Sequence, residues 1–155
     1  MLKLIKKYFP SITEEQLNQF QAFTSLFTEQ NQLVNMISRK DVENLEERHI
    51  LHSLAIAKFI DFKNQTKILD IGTGGGFPGL PLAILFPSCK FFLVDSIAKK
   101  INVVNKIILE LGLKNVEAIN ARAESLNFQV DFIVSRAVAP LTDLYRWGHK
   151  LILKD

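Results

Sequence analysis

A single α/β domain with a parallel sheet and an N-terminal helical extension is what this 155-residue sequence predicts, and three observations predict it. Apolar residues recur at helical spacing over the first sixty positions. From residue 66 onward, short apolar runs alternate with amphipathic segments, the pattern of strands joined by helical crossovers. Between the first run and the segment after it stand five of the chain's seven glycines, Gly72, Gly74, Gly75, Gly76 and Gly79. A glycine-rich turn after a strand is where open α/β folds receive ligands.

The length suits one well-cored domain and not two. With 48% hydrophobic and 23% charged residues, the composition excludes a disordered tail, a collagen-like repeat and a disulfide scaffold. The formal charge is +3, and all of the excess lies beyond residue 60, since seven basic and seven acidic residues balance before it. So small a surplus permits an anionic partner without requiring one. Cys89 is the only cysteine, so no intrachain disulfide can form, and a cytoplasmic protein is expected. The basic start, Met1-Leu2-Lys3-Leu4-Ile5-Lys6-Lys7, lacks the apolar run of a signal peptide. Ile71 to Cys89 is nineteen residues without a charge, but three of the five prolines and the five glycines break it. That excludes a membrane span there, and no membrane partner is expected.

Each element has its own signal. Thr13-Glu14-Glu15-Gln16 fits a capping box, in which threonine and glutamine side chains satisfy the free amides of a helix start. Leu17, Phe20, Phe23 (or Thr24) and Phe27 then form one apolar stripe, read as core rather than a base-stacking platform. A second helix is predicted from near Asp41 to Ile60, burying Leu45, Leu51, Leu54, Ala55 and Phe59. Residues 1–60 are thus read as a helical cap and residues 61–155 as a Rossmann-like domain. Strands follow at Lys67–Ile71, Lys90–Val94, Val116–Ala121 and Val130–Val134. Helices are expected over Gly79–Phe86, over a stretch capped by Ser96 and stopped by Gly112, and over Asp143–Leu153.

The glycine turn is the chemical signal. From Gly74 it matches G-x-G-x-x-G, a pattern that dinucleotide enzymes and methyltransferases share. Two acids discriminate. Asp70 ends the first strand, where its carboxylate would repel a pyrophosphate and attract the ammonium and sulfonium of S-adenosylmethionine. Asp95 ends the second strand, 23 residues after Gly72, where a carboxylate can accept both hydroxyls of a ribose. The residues alone therefore point to an adenosyl-cofactor domain that takes S-adenosylmethionine. An NAD-dependent oxidoreductase domain, a non-catalytic nucleotide- or RNA-binding module and a small-molecule methyltransferase stand as alternatives. His49 and His52, three apart, share a helix face, but no third ligand follows at a suitable spacing, and no metal is expected.

Several segments together resemble a known family. Arg48-His49-Ile50-Leu51-His52-Ser53, the run from Asp70 to Gly79 with Leu80-Pro81-Leu82, Val94-Asp95-Ser96 with Lys99-Lys100, and Ser135-Arg136-Ala137 look like the bacterial small-subunit rRNA guanine-N7 methyltransferases (RsmG, also called GidB). The resemblance spans nearly the whole chain and includes Asn35. It implies a class I S-adenosylmethionine-dependent methyltransferase that methylates N7 of a guanine near the decoding centre, with small-subunit ribosomal RNA or the assembling 30S particle as partner and a monomer as the favoured state. By position, Gly72, Phe77, Ala123, Glu124 and Arg136 would contact the cofactor.

Beside these carried-over roles stand plainer ones. Gly72 and Gly74 allow backbone to approach the methionine part of the cofactor, while Phe77 could lie against it or merely staple the helix start. Ala123 and Glu124 could flank an adenine, though Glu124 by itself reads as a surface acid. Arg136 would fix cofactor and base geometry, or pair with a neighbouring acid; Lys99, Lys100 and Arg122 would contact phosphates. This sequence departs from the family where His52 replaces an acid and where Gly75 replaces a common proline, the latter expected only to loosen the turn. The family's sheet has seven strands, so by resemblance the strands at the C-terminus are incomplete here, leaving an edge open unless another chain or the last helix covers it.

Overall fold

Thr13 does cap a helix. Its Oγ1 accepts the Gln16 amide at 3.1 Å, and Gln16 Oε1 accepts the Thr13 amide at 3.0 Å. The helix that follows, α2 (Glu14–Leu33), buries Leu17, Phe20, Phe23 and Phe27 along one stripe. Each buried phenylalanine stabilises the fold by roughly 1.5–3 kcal/mol. The computed structural model describes residues 2–154, and it adds an element the sequence reading did not anticipate, α1 (Lys3–Tyr8). Only Ile5 of this helix is buried, so no apolar stripe announces it. Its first free amides, Leu4 and Ile5, both donate to Glu46 Oε1.

The predicted helix from Asp41 to Ile60 is broken. α3 (Arg39–Glu43) is capped by Ser38; a π-helical turn (Glu46–Leu51), α4 (His52–Leu54) and a 3-10 turn (Ala55–Lys58) follow. The wide π turn and the tight 3-10 turn change the phase of the stripe. Leu45 and Leu54 are buried as expected, with Ile50 beside them, but Ala55 is exposed and Phe59 is 89% exposed.

Four strands form one parallel sheet, β1 (Lys67–Ile71), β2 (Lys90–Asp95), β3 (Val116–Asn120) and β4 (Phe132–Val134), in the order β3-β2-β1-β4. The chain therefore winds outward from β1 and then crosses back to its other side. Alternation sends Ile68, Phe91, Leu93 and Val134 into a core shared with α2 and α5 (Gly79–Leu85). Leu69, Ile71 and Val94 face the opposite layer, where Trp147 of α7 (Leu141–Gly148) packs. α6 (Ala98–Leu111) ends at Gly112, φ +64°, as predicted. Ser96 does not cap it; the helix starts after Ile97, whose amide is taken by Asp95 Oδ1 at 2.9 Å.

The C-terminal helix is shorter than expected. After α7 and a 3-10 turn (His149–Leu151) the backbone extends, and Ile152 bridges Val130 in parallel. Val130 N donates to Leu151 O at 2.8 Å and Leu153 N to Val130 O at 2.9 Å. The foot of the β4 edge is thus covered by the chain's own last residues rather than by a helix. Among the described residues, no helix is long and apolar enough to cross a membrane.

Candidate functional site

Strand order reverses at β1, and at the carboxyl edge of the sheet there lies a cleft of about 480 Å³. The loops after all four strands build it, with Met36 and Ile37 closing one side. Gly72, Gly74, Phe77, Asp95, Ala123, Glu124 and Arg136 all line this one cleft. Lys100 and Arg122 line it too, whereas Lys99 is exposed at the start of α6 and outside the lining.

The glycines act in different ways. Gly72 and Gly74 both adopt left-handed backbone, φ +68° and +56°. A Cβ on Gly74 would meet nothing within 4 Å, so the loop presents bare backbone to the open cleft. At Gly72 a Cβ would come within 2.4 Å of Val138, which lies across it. Gly75 does more than loosen the turn: a Cβ there would stand 2.7 Å from the ring of buried Phe27, so its absence lets α2 pack against the loop.

Asp70 is not where the electrostatic reading needs it. Strand alternation puts it on the same face as Ile68, under α5, with 0% exposure, and it does not line the cleft. Its Oδ2 accepts Thr73 Oγ1 at 2.7 Å and the Gly79 amide at 2.9 Å, while Oδ1 is buried without a partner. Burial pushes its carboxyl up to about 8, against the pull of those two hydrogen bonds and of the Arg136 charge. Asp70 therefore organises the turn from below and offers the cleft no carboxylate. The acid that lines the cleft beside the glycine turn is Asp95. Its Oδ2 accepts the Gly74 amide at 2.9 Å and Oδ1 the Ile97 amide, leaving each oxygen a lone pair.

Phe77 is largely core: it packs edge-on against Phe27 at 5.1 Å between centroids, and against Phe23 and His49. Its remaining face supports the Arg136 guanidinium, 5.2 Å from the ring centroid. Arg136 has no ion pair among the described residues. Its Nη2 lies 2.7 Å from His49 Nδ1 and its Nη1 3.3 Å from His52 Nδ1. The shared face of the two histidines is thus real, and an arginine lies against it. Burial lowers the affinity of both His49 and Arg136 for a proton.

Ala123 is buried in a 3-10 turn (Ala123–Ser125), while Glu124 beside it is exposed. Four lining residues escaped the sequence reading: Met36, Ile37, Val138 and Trp147. The first two are held by Asn31, whose carboxamide accepts both of their amides and donates to Ile37 O. Ala137 sits at φ +53°, strained for a residue with a Cβ, beside Arg136. Asn35 is exposed and borders a separate polar hollow with Thr28, Gln32 and Arg39.

A parallel sheet with a glycine-lined cleft at its switch point is the architecture of class I methyltransferases, and solved structures of that class share it. Coclaurine N-methyltransferase bound to N-methylheliamine and SAH superposes with a TM-score of 0.64 at 16% identity, covering 98% of this chain and 52% of that one. TrmN from Thermus thermophilus gives 0.58 at 22%, over 67% and 35%. At such identities these likenesses concern the fold. The family follows from sequence: residues 16–155 match the model described as GidB, rRNA small subunit methyltransferase G. Ribosomal RNA small subunit methyltransferase G of Bacteroides thetaiotaomicron is 57% identical over 145 residues, 94% of this chain and 70% of that protein. The Porphyromonas gingivalis protein of the same name is 52% identical over 153 residues, 99% of this chain and 69% of its own length. The chain belongs to this family.

Proposed function

We propose that the protein transfers a methyl group from S-adenosylmethionine to N7 of a guanine in small-subunit (16S) ribosomal RNA near the decoding centre. The observation that supports it most is the bare-backbone cleft at the sheet's switch point, rimmed by Asp95, in a chain of this family. Its relatives are named as ribosomal RNA methyltransferases, and none of the comparisons supports an oxidoreductase.

The residues suit the cofactor. The cleft falls within the size range of small-molecule sites, Gly74 leaves open space where any other residue would intrude, and the free lone pairs of Asp95 suit ribose hydroxyls. Gly72 and Gly74 would flank the methionine part, Ala123 and Glu124 the adenine, with Phe77 and Arg136 at the reacting end. S-adenosylmethionine supplies an electrophilic methyl on a sulfonium. Guanine N7 carries an in-plane lone pair and no proton, so the residues need to hold the base in line rather than remove a proton. Lys99, Lys100 and Arg122 are assigned to RNA phosphates. A helical cap over residues 1–60, a Rossmann-like domain over 61–155, a monomeric state, no bound metal and a cytoplasmic location complete the proposal.

A labelled-methyl assay on undermethylated small subunits tests it. Wild-type chain should place label that nuclease digestion and chromatography recover as 7-methylguanosine, and Arg136→Ala should lose most of it while remaining folded. Wild-type turnover by Arg136→Ala would remove that residue from the site. Absence of transfer by the wild-type chain would refute the activity.

A further inference from the structure

Arg136 is a cation held without a carboxylate. Its guanidinium lies on the face of Phe77, and its two terminal nitrogens reach His49 Nδ1 at 2.7 Å and His52 Nδ1 at 3.3 Å. A guanidinium has five donors and no acceptor. The His49 imidazole, at 2.7 Å, must therefore turn the Nδ1 lone pair toward it, which holds that ring neutral with its proton on Nε2. A carboxylate in the same place would cancel the charge of Arg136; a neutral His49 imidazole fixes its position, with His52 beside it, and leaves the charge to the cleft.

We propose that His49, assisted by His52, is the positioning residue of Arg136, so that methyl transfer requires His49 in its neutral, Nε2-protonated form. A proton on Nδ1 would place an N–H against the guanidinium at 2.7 Å and drive Arg136 from its seat. His49 meets few other charges. Arg48 and His52 lie on its own helical segment, Asp41 of α3 pairs with Arg48 at 2.9 Å, and Asp70 acts only on Arg136 from beneath the loop. The aromatic side, Phe23, Phe27 and Phe77, adds no titratable group. Burial and the Arg136 charge lower the proton affinity of His49 below its ordinary 6.5, Asp41 opposing, so the neutral form dominates at pH 7. Asp70, His49 and Arg136 thus belong to one local arrangement in which Arg136 keeps its charge.

The inference rests on the methyltransferase reading, and its test separates the two. Methylation by the wild-type chain is followed against pH alongside His49→Asn and His49→Ala. Asparagine offers Oδ1 near the place of Nδ1 and does not titrate. Wild-type activity should fall about tenfold per pH unit below the titration of His49. His49→Asn should keep a measurable rate, at least about a tenth of wild type, with that acid limb gone, and His49→Ala should lose about tenfold or more at every pH. An unchanged acid limb in His49→Asn, or a wild-type rate in His49→Ala, overturns the proposal. Long-range proton–nitrogen NMR of the wild-type histidines decides the same point without a variant. An unprotonated Nδ1 on His49 at pH 7.5 that Arg136→Ala shifts supports the clamp; an Nδ1–H form refutes it, whether or not the chain methylates.

Discussion

Two acids stand at or next to the ends of adjacent strands, and they do opposite things. In the register of the sheet Asp70 stands beside Leu93, so Asp95 lies two residues further along, about 7 Å higher at some 3.3 Å per residue. That step separates a buried carboxyl, which fastens Thr73 and Gly79 from below, from a rim carboxylate that holds Gly74 and faces the cleft. Type and position at a strand end do not define a role; which rung the residue occupies relative to its neighbour does.

The contrast breaks most sharply under truncation. Asp70→Ala strands two buried donors and should cost about 3 kcal/mol of unfolding free energy by denaturant titration, with a smaller change in cofactor affinity per molecule that remains folded. The pH dependence carries the same signature. An acid that ionises at 3.8 when unfolded but near 8 when folded binds more protons in the native state between those values. Its contribution is therefore intact below pH 3.8 and declines as pH rises to about 8, at up to about 1.4 kcal/mol per unit. Asp70→Asn should flatten that decline; an unchanged slope would mean that Asp70 is ionised in the fold.

Asp95→Ala should do the reverse, weakening S-adenosylhomocysteine binding by about 10–100-fold, as loss of a charged hydrogen-bond acceptor does, with a stability loss of about 1 kcal/mol. Equal losses from the two alanine variants in both measurements would erase the distinction. Gly74→Ala sharpens it further: left-handed strain costs about 1 kcal/mol, but the methyl enters the cleft, so calorimetry should register it in affinity more than melting does in stability. Smallest is Lys99→Ala. It should leave cofactor binding unchanged and lower the salt slope of RNA binding by about 0.7–0.9, the share of one phosphate contact.

What the sequence made legible was local. The capping box at Thr13, β1 from Lys67 to Ile71 and the stop at Gly112 are each set by residues within a few positions of one another, and each was read correctly. The glycine turn, Asp95 and Arg136 were found because strand ends and fold topology bring them to one edge. What escaped depends on packing at a distance. Glu46 caps α1 across 41 and 42 positions, His49 and His52 meet Arg136 across 87 and 84, and the π turn redirects Phe59 outward. Asp70 is the instructive case: its alternation with Ile68 is local and legible, whereas the helix that covers that face is set by tertiary packing.

The central claim, that the cleft rimmed by Asp95 takes an adenosyl methyl donor, is tested most directly by calorimetric titration of the intact chain with S-adenosylhomocysteine and with NAD. The structure predicts saturable binding of the first, displaced by S-adenosylmethionine and weakened in Asp95→Ala, and no heat from the second. Binding of NAD with none of S-adenosylhomocysteine would contradict it.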